Sequence, residues 1–161
     1  LAPRARIEVE LASPDLRWSG ECYVDCNHGA RPLEDDFTSW NWSRAHLRTG
    51  SAIVYEARRR DGETTLLALR HGAGGVETFA PPPLTTLERT RWRLNGATRA
   101  DAGSTPKLLQ RLEDAPFYAR SVLGLRLLGE DTIAVHESLS LDRFKATATQ
   151  LMLPFRMPRR A

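Results

Sequence analysis

Alternation of apolar and polar residues with a period of two is the feature that most constrains this chain. Residues 6–11 read Arg, Ile, Glu, Val, Glu and Leu, so an extended backbone places the three apolar side chains on one side. Turn signals such as Ser13-Pro14-Asp15 and Asp61-Gly62 separate this segment from those that follow. Short alternating segments joined by tight turns are typical of antiparallel sheets. The pattern therefore predicts an all-β fold, either an antiparallel barrel or a sandwich.

The same signals predict about eight to nine strands with short connections. The strand candidates are residues 6–11, 17–27, 37–47, 52–59, 64–70, 76–79, 87–94, 117–128 and 132–141. Loops are expected at 28–36 and 95–106, and a short helical turn at 107–113. A short C-terminal helix is expected to begin within 141–146, capped by Asp142.

Length and composition fit one globular domain. The chain has 161 residues, of which 41% are hydrophobic and 27% charged. No segment approaches the roughly 18 consecutive apolar residues that span a bilayer. The net charge of +3 is too small to predict nucleic-acid binding, and no nucleotide-binding or zinc-protease motif is present.

The two cysteines, Cys22 and Cys26, are predicted to be reduced packing residues. Positions four apart on a strand are separated by roughly 13 Å, which is too far for a disulfide. Two reduced cysteines fit a cytoplasmic protein.

Two basic clusters leave two interpretations open. They are Arg58-Arg59-Arg60 and the C-terminal group Arg156, Arg159 and Arg160. Solvated surface is the simpler interpretation. The alternative is attraction to anionic lipid headgroups, which is worth on the order of 1 kcal/mol for each basic residue near a membrane surface.

The densest group of reactive and aromatic side chains lies between residues 18 and 44. If residues 20–29 form a strand, alternation places Tyr23, Asp25 and Asn27 on one face, with the intervening cysteines and valine on the other. The next strand carries Trp40 and Trp42 on one face. Together these residues predict the wall of a cavity lined by aromatic rings and holding one carboxyl group.

Such a cavity has a specific chemical use. Burial disfavours a carboxylate and raises the pKa of the group, so a buried carboxyl can stay neutral near pH 7 and act as a general acid. Aromatic faces stabilise a nearby cation by roughly 0.5–2 kcal/mol each. We therefore expect Asp25 to protonate an alkene whose carbocation the rings then shield. The alternative is a surface aspartate beside two tryptophans of an ordinary core.

Three further residues are weaker candidates. His136 and Glu137 are adjacent on a predicted strand and so point to opposite faces, either of which could line the cavity. His28 lies beside Gly29 and is expected in a loop. The acidic run Glu34-Asp35-Asp36 is expected to be solvated rather than to bind a metal.

Residues 20–45 resemble the signature G-x-G-Y-x-D-x-N-x-G followed by W-x-W-x-R of the carotenoid 1,2-hydratases, also called hydroxyneurosporene synthases. One departure is Cys22, which stands where that family usually has Gly. The similarity continues through most of the chain, at residues 55–62, 80–83, 98–101, 114–121, 135–144 and 158–160.

The resemblance implies a lipocalin-like β fold and a hydro-lyase of carotenoid biosynthesis in photosynthetic bacteria. Members of the family are about twice as long or more, so residues 1–161 are expected to form a single β domain, the C-terminal part of a two-domain protein. A His-x-Trp motif of the family falls just before Leu1, and the site is therefore expected to be incomplete in this chain.

The implied reaction adds water to the terminal double bond of an acyclic carotenoid of the neurosporene or lycopene type. Carried over by position, Asp25 is the proton donor and Tyr23 its neighbour. The predicted substrate contacts are Trp40, Trp42, Asn27, His136 and Glu137. No redox cofactor or metal is expected, and the expected partners are the carotenoid and water, without nucleic acid.

The location and the function each leave alternatives open. The protein is expected in the cytoplasm, with peripheral contact to the inner or photosynthetic membrane left undecided. A related enzyme on the same scaffold, which cyclises a folded polyene, is one alternative function. The other is a lipophile-binding module of the lipocalin type without catalysis.

Overall fold

The computed structural model describes residues 2–26 and 28–155, apart from the side chains of Pro3 and Arg4. Strands dominate this part of the chain. They are β1 (Ala2–Ala12), β2 (Asp15–Val24), β3 (Phe37–Leu47), β4 (Gly50–Arg59), β5 (Thr64–Gly72), β6 (Gly75–Thr78), β7 (Leu84–Thr86), β8 (Ala97–Arg99), β9 (Lys107–Asp114), β10 (Tyr118–Leu127) and β11 (Glu130–Ser140). The helices are short: α1 (Leu33–Asp36), α2 (Leu141–Lys145) and α3 (Thr147–Met152).

Seven strands form one antiparallel sheet in the order β6-β5-β4-β3-β11-β10-β9. Most neighbours in this sheet are consecutive in sequence and are joined by hairpin turns, as the alternation and turn signals predict. The exception is β3, which pairs with β11 and so joins residues 37–47 to residues 130–140 at the centre of the sheet. Two smaller sheets, β1-β2 and β7-β8, complete the described strands.

One face of the large sheet carries the hydrophobic core. Its small and aliphatic side chains interlock across β3, β4, β10 and β11, and the cluster consists of Ala45, Leu47, Ala52, Ala100, Leu123, Leu125, Leu127 and Ala134. The segment between β6 and β9, which includes the β7-β8 pair, covers this face. Leu87 and Phe79 of that segment pack against the cluster.

The all-β antiparallel fold with a short C-terminal helical segment is confirmed. Within the described residues the large sheet is open, because its outer strands β6 and β9 each pair on one side only. A layered, lipocalin-like sandwich therefore fits these residues, and a closed barrel does not. Among the described helices none has the length and apolar character needed to cross a bilayer.

Two predicted elements are wrong. Residues 107–113 form strand β9 rather than a helical turn, because the segment pairs with β10 from Lys107 to Asp114. Residues 87–94 are not a strand. Arg93 has a φ of 55°, which lies outside the strand region, and the segment instead joins the short strands β7 and β8.

The described residues form eleven strands rather than eight to nine, and several boundaries and one cap differ from the predictions. The loop expected at 95–106 contains the short strand β8, and the first strand begins at Ala2 rather than at residue 6. The second strand ends at Val24, three residues before the predicted end. The predicted loop at 28–36 contains the helical turn α1. The C-terminal helix forms as expected, but Ser140 rather than Asp142 caps it, since the Ser140 hydroxyl accepts a hydrogen bond from the Arg143 amide.

Candidate functional site

The face of the large sheet opposite the core carries a row of aromatic and charged side chains. Residues paired in register share a face, so the row can be read from the strand pairing. Trp42 of β3 pairs with Tyr55 of β4 on one side and with Glu137 of β11 on the other. Glu137 in turn pairs with Arg120 of β10. We call this surface the aromatic face.

The end of β2 lies against this row. The Tyr23 ring is 5.3 Å from the Trp42 ring, measured between centroids, at an interplanar angle of 47°. The Tyr23 hydroxyl donates a hydrogen bond of 3.0 Å to Asp25 Oδ2. Tyr23 and Asp25 therefore point to the same side, as alternation predicts, and Tyr23 contacts the strand that carries the tryptophans.

Arg44 completes the contacts of the Tyr23 ring. Its guanidinium carbon lies 5.2 Å from the centroid of that ring, within the range of a cation–π interaction. Arg44 is 7% exposed and also contacts the His46 imidazole, with 3.1 Å between Nη1 and Nε2. Its packing fixes the Tyr23 ring from one side while Trp42 fixes it from another.

The environment of Tyr23 keeps its hydroxyl protonated. Burial raises the pKa of Tyr23 well above its ordinary value, and the hydrogen bond to the neighbouring Asp25 carboxylate raises it further. A phenol that stays neutral is a hydrogen-bond donor across the physiological pH range. Tyr23 can therefore orient the Asp25 carboxyl group or a water molecule beside it.

The Asp25 side chain is exposed. The expectation of a carboxyl group buried in a closed cavity is therefore wrong for the described chain. The carboxyl group is nevertheless joined to the aromatic face through its hydrogen bond with Tyr23, whose ring packs on Trp42. Cover for this group would have to come from atoms outside the described residues.

The rings of the aromatic face form a broad, half-buried surface. Trp40 packs against Tyr55 with 6.3 Å between ring centroids and an interplanar angle of 44°. Burial raises the pKa of Tyr55 above its ordinary value, so this phenol also stays neutral. Beyond Tyr55 in the same row lies Leu67, which is 42% exposed. The face thus offers rings and aliphatic groups and is partly covered, since Ile53 and Ala57 on it are only 4% and 0% exposed.

A second polar group lies on the same face. Both Nε and Nη2 of Arg120 contact Glu137 Oε1, at 2.8 and 2.7 Å. The Arg120 guanidinium also lies 5.8 Å from the centroid of the Tyr118 ring. Burial and the charge of Glu137 raise the pKa of Tyr118. These three residues form a compact group beside Trp42.

His136 and Glu137 point to opposite faces, as predicted, and only Glu137 lies on the aromatic face. His136 is 1% exposed and lies on the core face, where its Nε2 is 2.9 Å from the Ser138 hydroxyl. The Ser138 hydroxyl donates a hydrogen bond of 2.9 Å to Asn41 Oδ1. The same Asn41 oxygen also accepts a hydrogen bond from the Ala97 amide. The geometry therefore separates His136 from the other candidate residues.

Several predictions concern residues away from this cluster. Asn27 and the basic group Arg156, Arg159 and Arg160 lie outside the described residues. His28 is exposed in a loop, as predicted. Cys22 and Cys26 are free, but Cys26 is exposed and so is not a packing residue.

Ion pairs occupy much of the internal basic cluster. Arg59 contacts the Asp61 carboxylate at 3.0 Å, and Arg60 contacts Asp142 at 2.9 Å. Their charges are therefore partly neutralised within the protein itself, which favours the structural interpretation of this cluster. In the described residues no group of three or more His, Cys, Asp or Glu is arranged to hold a metal ion.

Four residues of the aromatic face were not singled out from the sequence: Arg44, Tyr55, Tyr118 and Arg120. Arg44 carries a usable signal, because it follows Trp42 by two positions on a predicted strand and so shares its face. The other three lie on different strands. Their positions depend on strand register, which alternation within one strand does not specify.

Comparison with known proteins gives a consistent result. The sequence profile of the family described as "Carotenoid hydratase CrtC" matches residues 1–161. The chain is 51% identical over 161 residues to an acyclic carotenoid 1,2-hydratase of Thiocapsa roseopersicina, covering 99% of this chain and 40% of the relative. No solved structure matches the chain.

Two further relatives carry the same description. The protein of Rubrivivax gelatinosus is 44% identical over 163 residues, covering 100% of this chain and 40% of the relative. The protein of Rhodobacter capsulatus is 41% identical over 162 residues, covering 99% of this chain and 57% of the relative. The chain thus spans between 40% and 57% of the length of these relatives.

Proposed function

The chain belongs to the carotenoid hydratase family, and from this premise we propose that it supplies the acid and the aromatic face of an acyclic carotenoid 1,2-hydratase. The relatives in Thiocapsa roseopersicina and Rubrivivax gelatinosus are described by that activity. The proposed substrate is an acyclic carotenoid of the neurosporene or lycopene type, and the second reactant is water.

One observation carries the proposal. Tyr23 packs on Trp42 while its hydroxyl donates to the Asp25 carboxyl group, so a carboxyl group with a phenol partner is joined to a surface of rings. A polyene end lying on such a surface would meet an acid and a cation-stabilising environment at the same place. An ordinary surface aspartate would not be expected to be held by a tyrosine that packs on a tryptophan.

The proposed reaction has three steps. Asp25 gives its proton to the less substituted carbon of the terminal trisubstituted alkene, which leaves a tertiary cation. The faces of Trp40, Trp42 and Tyr23 shield the cation and stabilise it by roughly 0.5–2 kcal/mol for each well-placed ring. Water then attacks the cationic carbon and loses a proton, and the product is a tertiary alcohol.

Because Asp25 is exposed, the proposed reaction requires another part of the protein to exclude water from its carboxyl group. A general acid for this step must be neutral near pH 7, and exclusion of water is the usual means of keeping a carboxyl group neutral. We place residues 1–161 as the C-terminal β domain of a longer two-domain protein. The remainder of that protein, whose relatives are much longer than this chain, would cover Asp25 and the aromatic face.

Replacement of Asp25 tests the proposal. Asp25→Asn in the full-length protein removes the transferable proton and keeps nearly the same shape, so hydration should fall by at least about 100-fold. The measurement is incubation with lycopene or neurosporene, followed by mass analysis for the addition of one water. The same preparations are checked for folding by circular dichroism.

A matched control is Asp15→Asn. Asp15 is an exposed aspartate at the other end of β2, distant in register from Tyr23, and its replacement should leave hydration unchanged. Full turnover by the Asp25→Asn protein would exclude Asp25 as the acid. A folded wild-type protein that yields no hydrated product would reject the hydratase function itself.

The partial exposure of the aromatic face favours one alternative. Asp25 and Leu67 are exposed while the rings are half-buried, which also suits a lipophile-binding module without catalysis. Such a protein would bind the carotenoid and return it unchanged. The mass analysis described above separates the two functions, since binding alone adds no water.

A further inference from the structure

Addition of water to an alkene moves two protons, and the reaction proposed above assigns only one of them. One proton goes to carbon, and a second must leave the oxygen of the attacking water. We propose that Glu137 is the catalytic base that accepts this second proton. The assignment rests on the proposed hydratase function.

Strand register places Glu137 beside Trp42, the ring on which Tyr23, the partner of the proposed acid, packs. Glu137 of β11 pairs directly with Trp42 of β3, and directly opposed residues have Cβ atoms about 4.5–5.5 Å apart. The Trp42 ring is 5.3 Å from the Tyr23 ring, and Tyr23 donates to Asp25. The two carboxyl groups are therefore linked through the same pair of rings, Asp25 by its hydrogen bond with Tyr23 and Glu137 by its pairing with Trp42.

The neighbours of Glu137 suit a base rather than a second acid. Arg120 contacts Glu137 Oε1 through two nitrogens, at 2.8 and 2.7 Å, and its positive charge stabilises the ionised carboxylate. Both carboxyl groups contact a phenol, Asp25 that of Tyr23 and Glu137 that of Tyr118, whereas the charged partner Arg120 contacts Glu137. Two carboxyl groups on one surface are thus given different partners, which is the pattern by which a site assigns one acid and one base.

The proton balance is complete without a further reactant. The π electrons of the alkene take the proton of the Asp25 carboxyl group and form a C–H bond. A lone pair of water forms the C–O bond to the tertiary carbon, and Glu137 takes the proton from the resulting oxonium. An oxonium is a strong acid, so a carboxylate paired with arginine is basic enough. The proton then returns from Glu137 to Asp25 through solvent.

Neighbouring candidates lie in less suitable places. His136 is adjacent in sequence but faces the core side of the sheet. Glu56 also lies on the core side, where it is paired with Arg99 at 2.8 Å. Among the described carboxylates in register with β3 on the aromatic face, Glu137 is the one beside Trp42.

Chemical rescue provides the test. Glu137→Ala in the full-length protein should lower the turnover number for lycopene hydration by about 100-fold, the lower end of what a general base contributes. Added sodium formate, a small carboxylate that fits the vacated space beside Arg120, should restore at least a tenth of the lost rate. Sodium chloride at the same concentration should restore none.

Glu113→Ala is the matched control. Glu113 of β9 is the register partner of Arg120 on its other side, so it shares the same face one strand further from Trp42. Its loss should leave turnover unchanged, and formate should have no effect on the variant. Equal losses in the Glu113→Ala and Glu137→Ala proteins would overturn the assignment, since they would indicate a general effect on Arg120.

A second variant decides the case if the alanine protein does not fold. Glu137→Gln keeps the shape and should lower kcat about 100-fold with KM unchanged. Unchanged kcat, a rise in KM alone, or a folded Glu137→Ala protein that formate does not restore would each overturn the role of Glu137. If the wild-type protein forms no hydrated product, the hydratase function fails first and this role falls with it.

Discussion

His136 is a basic residue held where a charge is poorly tolerated. Burial, together with the nearby charge of Arg111, lowers the pKa of His136 to about 4. Its Nδ1 is buried without a hydrogen-bond partner among the described residues. The imidazole is therefore neutral in the folded protein at neutral pH, and it serves the packing of the core face through its contact with Ser138.

This environment predicts a loss of stability in acid. The unfolded chain binds a proton at His136 near pH 6.5, whereas the folded chain resists it until about pH 4, so stability falls as the pH drops through this window. Between pH 7 and pH 5 the contribution of His136 should amount to about 2 kcal/mol. Urea unfolding followed by tryptophan fluorescence measures it.

His136→Gln should be less stable than wild type at pH 7 but should lose less stability between pH 7 and pH 5. His28→Gln serves as the control, because His28 is exposed in a loop. A His136→Gln protein with the full acid sensitivity of wild type would contradict the prediction.

Sequence reasoning at the scale of single residues succeeds where one strand is enough. The shared side of Tyr23 and Asp25, and the opposite sides of His136 and Glu137, follow from the period of two. The burial of Asp25 does not follow, because it depends on which other atoms cover the carboxyl group. Strand alternation says which way a side chain points and nothing about what it meets there.

At the scale of elements, the β3-β4 hairpin shows how closely the sheet is packed. Gly50 begins β4 with a φ of 152°, and a Cβ atom added there would lie 1.8 Å from the backbone oxygen of His71 on β5. Backbone atoms of β5 cannot move away without loss of strand pairing. Gly50 is thus required by close approach rather than by the turn alone.

Gly50→Ala should destabilise the protein by about 3 kcal/mol, the upper range for a single substitution that strains the backbone. Gly74→Ala is the control, since a Cβ atom at Gly74 meets nothing within 4 Å. The free energy of unfolding of each variant gives the comparison. Similar unfolding free energies for the two variants would show that the backbone of β5 can shift near His71 at little cost.

The error at residues 107–113 belongs to the same scale. Leu108, Leu109 and Leu112 are spaced as on one side of a helix, which is compatible with the predicted helical turn. Pairing with β10 makes the segment an edge strand instead. Tertiary pairing overrides a weak local preference in short segments, and a single sequence does not reveal the pairing.

At the scale of the whole molecule, a half-buried ion pair joins the two layers. Arg99 of β8 contacts Glu56 of β4 at 2.8 Å, with side chains 17% and 18% exposed, and it also donates to the Pro82 carbonyl at 2.7 Å. Beside this pair, the Ser43 and Thr98 hydroxyls lie 3.3 Å apart. These contacts fasten the segment between β6 and β9 onto the core face.

Arg99→Ala should therefore destabilise the protein by about 3 kcal/mol, because it leaves Glu56 partly buried without its partner. Arg48→Ala is the comparison, since Arg48 is largely exposed in its pair with Glu130 and should cost less than about 1 kcal/mol. Unfolding free energies in urea measure both. A cost at Arg99 no larger than at Arg48 would mean that the pair does not hold the layers together.

The all-β class was predictable from the sequence because alternation and turn residues repeat along the chain. The order of strands in the sheet was not, since β3 and β11 are separated by more than eighty residues and meet through tertiary contacts. The aromatic face follows from that order. Tyr55, Tyr118 and Arg120 could therefore be assigned to it only once the register was known.

The division of β11 between two faces has a consequence for protein engineering. Ala134, His136 and Ser138 serve the core side, whereas Val135, Glu137 and Leu139 belong to the aromatic face. A saturation library restricted to odd-numbered codons of this strand would vary the reactive surface while sparing the interior. In a deep mutational scan of protein stability, tolerance to substitution should then alternate along the strand, low at core positions and higher at positions on the aromatic face.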